Sequence, residues 1–147
     1  MITKTITYED FDGSQITKKF AFHLTRADFL EIQALVGDLQ DEMKKAQEAN
    51  DAVRLIDIIR TITRIAYGEK TVDDRFVKFA KDGHRLGDDF VVSEAYSELL
   101  AEFMNNENAL GEFVKGVLPI SVIKQLETAV AENPESYPEE MVNMMKS

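Results

Sequence analysis

Residues 93–119 read SEAYSELLAEFMNNENALGEFVKGVLP. Tyr96, Leu99, Leu100 and Phe103 recur at helical spacing, and Ala95 and Met104 widen that stripe. After Asn105-Asn106 a second stripe begins, carried by Ala109, Leu110, Phe113, Val114, Val117 and Leu118. Glu94 lies in the first turn, where the helix dipole favours a carboxylate, and Pro119 ends the run. The stretch predicts a helical hairpin of two short amphipathic helices. It holds no residue set suited to catalysis. Its apolar stripes need other elements to cover them, so the rest of the chain must supply a bundle.

Upstream, Ile2 to Tyr8 alternates, with Ile2, Lys4, Ile6 and Tyr8 on one face and Thr3, Thr5 and Thr7 on the other. Ile16 to Leu24 alternates as well, with Phe20 and Phe22 on its apolar face. Both read as half-buried strands. Phe11-Asp12-Gly13 separates them. A two-residue Asp12-Gly13 turn would pair Tyr8 with Thr17 and split the apolar faces. A three-residue loop with Gly13 left-handed pairs Tyr8 with Ile16 and Ile2 with Phe22, so that hairpin is predicted. An isolated hairpin is marginal in water, and its Phe face must pack on helices.

Thr25 then caps a helix, with Asp28 in the position of a near capping box. Phe29, Ile32, Leu35, Val36, Leu39 and Met43 form one stripe, and a continuous or mildly broken helix is expected to about Ala49. Gly37 leaves a kink, or a stop followed by a restart at Asp38, as the other readings. Asn50-Asp51 caps a second helix to Tyr67. Its residues Val53, Leu55, Ile56, Ile58, Ile59, Ile62 and Ile65 cover over half the circumference, which predicts a central helix. Gly68 reads as a left-handed stop. Residues 69–92 are the least regular. Phe76 to Phe79 suits a strand or a helical turn, and Phe76, Phe79, Leu86 and Phe90 anchor the connector. Beyond Pro119, Ile120 to Ala131 predicts a further amphipathic helix, 133–138 a linker, and Glu139 to Ser147 a short helix or frayed tail rich in methionine. The fold class is mainly α (α+β), a small helical bundle with an N-terminal β-hairpin packed on it. Residues 1–118 are expected to form a single domain (hairpin 1–24, helical body 25–118), with 119–147 a C-terminal helix and tail.

Composition narrows the function. The 147 residues carry 17 Lys and Arg against 27 Asp and Glu, a net charge of −10. Such acidity repels phosphate backbones and argues against nucleic acid. It keeps a protein soluble, and it also suits holding an aggregation-prone partner in solution. No apolar run reaches the roughly 20 residues of a membrane span, and residues 1–10 lack an apolar signal region, so no membrane and a cytoplasmic location are expected. There is no cysteine, hence no disulfide and no thiolate chemistry. His23 and His84 have no ligand-spaced partners and read as structural or surface residues. Asp10-Phe11-Asp12-Gly13 resembles a calcium loop only superficially, because its glycine falls too early. Asp73-Asp74 and Asp88-Asp89 read as solvated or capping carboxylates. No phosphate loop or nucleophile motif is present, so no enzyme, no metal and no cofactor are expected.

EAYSELLAEF, a polar turn, then ALGEFVKGVLP closely resembles the C-terminal part of phage tail assembly chaperones of long, non-contractile-tailed phages and prophages. TITYEDFDGSQITKKFAFHLTRADFLEI, IAYGEK and RFVK match in the same order, so the resemblance covers about residues 1–119. The chain departs from the family pattern at Asp74, where related sequences often turn on glycine, and in its Asn-rich turn 105–108. The resemblance implies a cytoplasmic host-cell protein that binds the tape measure protein, keeps it soluble, and is absent from the finished virion. It also implies that this chain is the short form of a pair. The longer form arises by ribosomal frameshifting and recruits tail tube protein. Tyr96, Leu99, Leu100, Phe103, Phe113, Val117 and Leu118 are the expected partner-binding residues, although the same stripe can equally be core. The competing readings are a minor structural or tail-completion protein retained in the particle, and a helical protein-interaction adaptor.

Overall fold

The computed structural model describes residues 1–132 and Glu135. The chain opens with two antiparallel strands, β1 (Ile2–Glu9) and β2 (Gln15–Phe22), in the register Ile2↔Phe22 and Tyr8↔Ile16. The Asp10 N–H donates to the Ser14 carbonyl at 2.8 Å, the Gly13 N–H donates to the Asp10 carbonyl at 2.9 Å, and Gly13 has φ 89°. This is the expected three-residue loop. It puts Ile6 and Phe22 in the core and leaves Thr3, Thr5 and Thr7 exposed.

Capping then dictates the helices. α1 (Arg26–Val36) starts with a complete capping box. The Thr25 hydroxyl accepts from the Asp28 N–H at 3.0 Å, and the Asp28 carboxylate accepts from the Thr25 N–H at 2.9 Å. The helix then stops outright at Gly37, which has φ 99° and ψ −161°. Asp38 caps a separate α2 (Leu39–Glu48), accepting from the Asp41 N–H at 3.0 Å. The continuous or mildly broken helix expected across Gly37 is therefore two helices. Leu35 faces solvent with 59% exposure and does not join the stripe. Asp51 caps α3 (Ala52–Ala66), whose Ile58, Ile59, Ile62 and Ile65 are buried, while Val53 in its first turn is 80% exposed.

The sheet is larger than the sequence suggested. β3 (Tyr67–Lys70) and β4 (Phe76–Val77) extend it to four antiparallel strands in the order β1-β2-β3-β4. Gly68 is not a left-handed helix stop. A Cβ there would lie 2.6 Å from the Phe76 ring and 2.8 Å from the Val77 carbonyl oxygen, so its missing side chain permits strand packing. After a short α4 (Leu86–Phe90) come α5 (Glu94–Asn105), α6 (Glu107–Val117) and α7 (Ile120–Glu132). One hydrophobic cluster joins Ile6 and Phe22 of the sheet, Ile32, Ile58 and Ile62 of the helices, Phe113 and Val117 of α6, and Val122 and Leu126 of α7. Phe22 packs at its centre, with ring centroids 5.7, 5.4 and 5.2 Å from Tyr67, Phe90 and Phe113. The linker expected at 133–138, except Glu135, and the expected helix with Met141, Met144 and Met145 lie outside the described residues.

Candidate partner-binding surface

The helical hairpin α5–α6 is assembled by side-chain caps. The Ser93 hydroxyl accepts from the Tyr96 N–H at 3.4 Å and donates to the Phe90 carbonyl at 2.6 Å. Asn106 ends α5 and starts α6, with its side-chain oxygen accepting from the Asn108 and Ala109 N–H groups. Leu118 is extended, as a residue before proline prefers, and ends α6. The hairpin lies on the sheet. Lys4 reaches from the apolar face of β1 to Glu102 on α5 at 2.9 Å, and the Leu24 N–H donates to the Val117 carbonyl at 2.8 Å.

That packing decides where the expected binding residues go. Tyr96, Leu99, Phe103, Phe113, Val117 and Leu118 are all buried, and the structure brings them together as interior, with Phe103 and Phe113 centroids 4.9 Å apart. Leu100 alone of the seven is half-buried. Phe103 reaches the wall of an open groove of about 360 Å³, where Met104 and Leu110 face Ala46, Asn50, Ala52 and Leu55. The apolar side chains offered to solvent lie largely elsewhere: Phe11, Leu30, Leu35, Val53, Val72, Phe79, Val92, Met104 and Ile120. Helical periodicity cannot find most of them, because they stand in turns or beside the stripe. The usable signal was an apolar residue flanked by turn formers, as at Phe11 between Asp10 and Asp12.

Several titratable residues are tied up in structural contacts. Asp28 and Lys78 pair at 2.5 Å in a half-buried site. Burial alone would raise the Asp28 pKa, but the Lys78 hydrogen bond and the helix cap hold it below the ordinary value. Burial lowers that of Lys78 despite the carboxylate beside it. Arg54 bonds Asp57 at 2.9 Å and the Val36 carbonyl at 2.9 Å, tying α3 to the end of α1. Asp88 meets Arg64 at 3.3 Å, and Asp89 meets His84 at 2.7 Å. Asp73 accepts from Thr71 and Arg75 within its turn. His23 is half-buried. Its ring meets the Phe76 edge at 6.4 Å, and its Nδ1 is buried without a partner. Among the described residues no group of three or more His, Asp or Glu side chains is placed to hold a metal ion, and no helix is long and apolar enough to cross a membrane.

The described residues thus present exposed apolar side chains and an open groove beside α5–α6. The sequence model of a family described as phage tail assembly chaperone matches residues 1–147. The chain belongs to that family. The match takes in the chaperone's last 28 residues, beyond the reach of the ordered motifs at 1–119. No curated protein and no solved structure matches the chain. Membership implies interaction with tail proteins and suggests a non-enzymatic role.

Proposed function

We propose that this chaperone binds the tape measure protein in the host cytoplasm, keeps it soluble while the tail tube forms around it, and leaves before the virion is complete. The observation that carries this reading is the family match along all 147 residues. The exposed apolar side chains on an acidic surface support it physically: they can cover apolar segments of a client, while the −10 charge disperses the complex. A longer frameshifted form would bring tube protein to the same assembly. Within α5–α6, Leu100 and the groove wall at Met104 are the positions proposed to meet the client directly, with Phe103 buried behind that wall. Tyr96, Leu99, Phe113, Val117 and Leu118 contribute by holding the hairpin in shape.

Co-expression with the tape measure protein of the same phage tests the reading. Soluble tape measure protein that co-purifies with the chaperone is expected. Equal insolubility with and without it, or stoichiometric chaperone in purified virions, would overturn the proposal. Leu100→Asp is expected to keep the circular dichroism spectrum and weaken the complex. Phe103→Asp places a charge in the core and should unfold the chain, since deleting a buried Phe alone costs about 3–5 kcal/mol.

A further inference from the structure

The loop of the first hairpin carries Phe11 at 99% exposure. Nothing in the turn asks for it. Gly13 supplies the left-handed residue, Asp12 accepts from the Ser14 N–H at 3.0 Å, and Asp10 accepts from the Phe11 N–H at 2.8 Å. A polar residue would serve the loop as well. Across from Phe11, Val92 is 83% exposed at the junction of α4 and α5, and the two side chains line one open groove of about 910 Å³. Two exposed apolar residues 81 positions apart in sequence thus converge on a single surface. A lone exposed apolar residue is ordinary; this convergence at a site that breaks the local pattern is not. The same groove is lined by four acidic residues, Glu9, Asp10, Asp12 and Glu94. Among the described residues, none of the four forms an ion pair with a cation.

We infer that the groove between the β1–β2 loop and the α4–α5 junction docks a basic amphipathic segment of a protein client, its apolar side chain seated between Phe11 and Val92 and its Lys or Arg residues facing the four carboxylates. Charge complementarity selects this occupant. A nucleic acid or an anionic lipid surface would be repelled, and two copies of this acidic tip would repel each other. The inference deepens the client-binding reading and rests on it for its biological role. A docking surface at the loop is separate from the α5–α6 groove and leaves that one free for a second contact.

The test uses the full chain and two synthetic helical peptides of equal length, one of Lys and Leu and one of Glu and Leu. In amide NMR titrations the cationic peptide is expected to bind and to shift Phe11, Gly13 and Val92, with affinity falling as salt rises from about 0.05 M to about 0.5 M. The anionic peptide should not bind. Phe11→Ser with Val92→Ser should keep the fold and weaken binding at least about tenfold. Val72→Ser, at an exposed apolar residue outside the groove, should change nothing. Absent binding, equal binding by the double variant, or shifts confined to other surfaces would overturn the inference. A chain that binds the peptide at the tip yet leaves the tape measure protein insoluble would overturn the client assignment and keep the groove.

Discussion

His23 and His84 occupy opposite electrostatic settings, and their titrations should separate accordingly. Asp89 and then Asp82 accept hydrogen bonds from the His84 ring and stabilise its cation, so its pKa rises above 6.5. His23 is lowered, first by burial, then by the N-terminal ammonium and Lys78. The linkage signs are opposite. The His84 contribution to stability is full below pH 6.5 and is lost as pH rises through the raised folded value. Stability tied to neutral His23 is present above 6.5 and is lost as pH falls toward its lowered folded value. A proton NMR titration of the two imidazole Hε1 signals should show His84 titrating at the higher pH, and Asp89→Asn should move His84 alone downward. The opposite order would refute the pairing geometry. Asp28 shows how one side chain can serve two elements, closing the α1 cap and holding Lys78 from β4's flank. Asp28→Ala should cost about 2–4 kcal/mol in urea unfolding, because it removes a cap and strands a half-buried ammonium. The capping box was readable in sequence, but the Lys78 partnership was not: Lys78 lies 50 residues away, and a contact across that span has no local periodic trace.

The loops share one geometry at the level of elements. Residues 10–14, 71–75 and 80–84 each close with the N–H of the first residue donating to the carbonyl of the fifth. In each, the fourth residue is left-handed (Gly13, Asp74 and Gly83) and the third is an Asp whose carboxylate bonds within the loop. Asp74, at φ 64°, therefore does the work of the glycine expected there, since Asp tolerates that region better than most residues. The first loop was legible because eight-residue strands with alternating faces fix its register. The strands flanking the second have four and two residues, too short to show a period, so the β3–β4 hairpin stayed hidden. At Gly37 the sequence offered both a kink and a stop. The observed φ 99° and ψ −161° belong to a region open in practice only to glycine. Gly37→Ala should lower stability by about 1–3 kcal/mol in denaturant melts, although no backbone stands in the way of a Cβ. Gly87→Ala should cost more, because its Cβ would fall 1.7 Å from the Arg64 carbonyl oxygen and would force α4 off α3. If Gly37→Ala is neutral, the break between α1 and α2 is set by Asp38 capping alone.

Across the whole molecule, the seven residues singled out by periodicity show what a stripe can and cannot say. Tyr96 and Phe103 face the interior for the same reason that they attracted notice, since an apolar face built to be buried is first buried in its own fold. Exposed Phe11 and Val92 belong to no periodic stripe, and only the fold brings them to one surface. The same logic bears on residues 119–147. Residues 1–118 were expected to fold as a domain by themselves, yet Val122 and Leu126 of α7 are 5% and 8% exposed and join the common cluster. Burying two such side chains contributes about 3–6 kcal/mol, against a total of about 5–15 kcal/mol for a typical domain. A chain ending at Leu118 is therefore expected to remain folded and to melt cooperatively, about 10–20 °C below the full chain by circular dichroism. An unchanged midpoint would mean that α7 adds nothing to the body. Loss of the cooperative transition would make α7 an integral layer and move the domain boundary beyond it, because the shorter chain would then expose the apolar cluster that Val122 and Leu126 join.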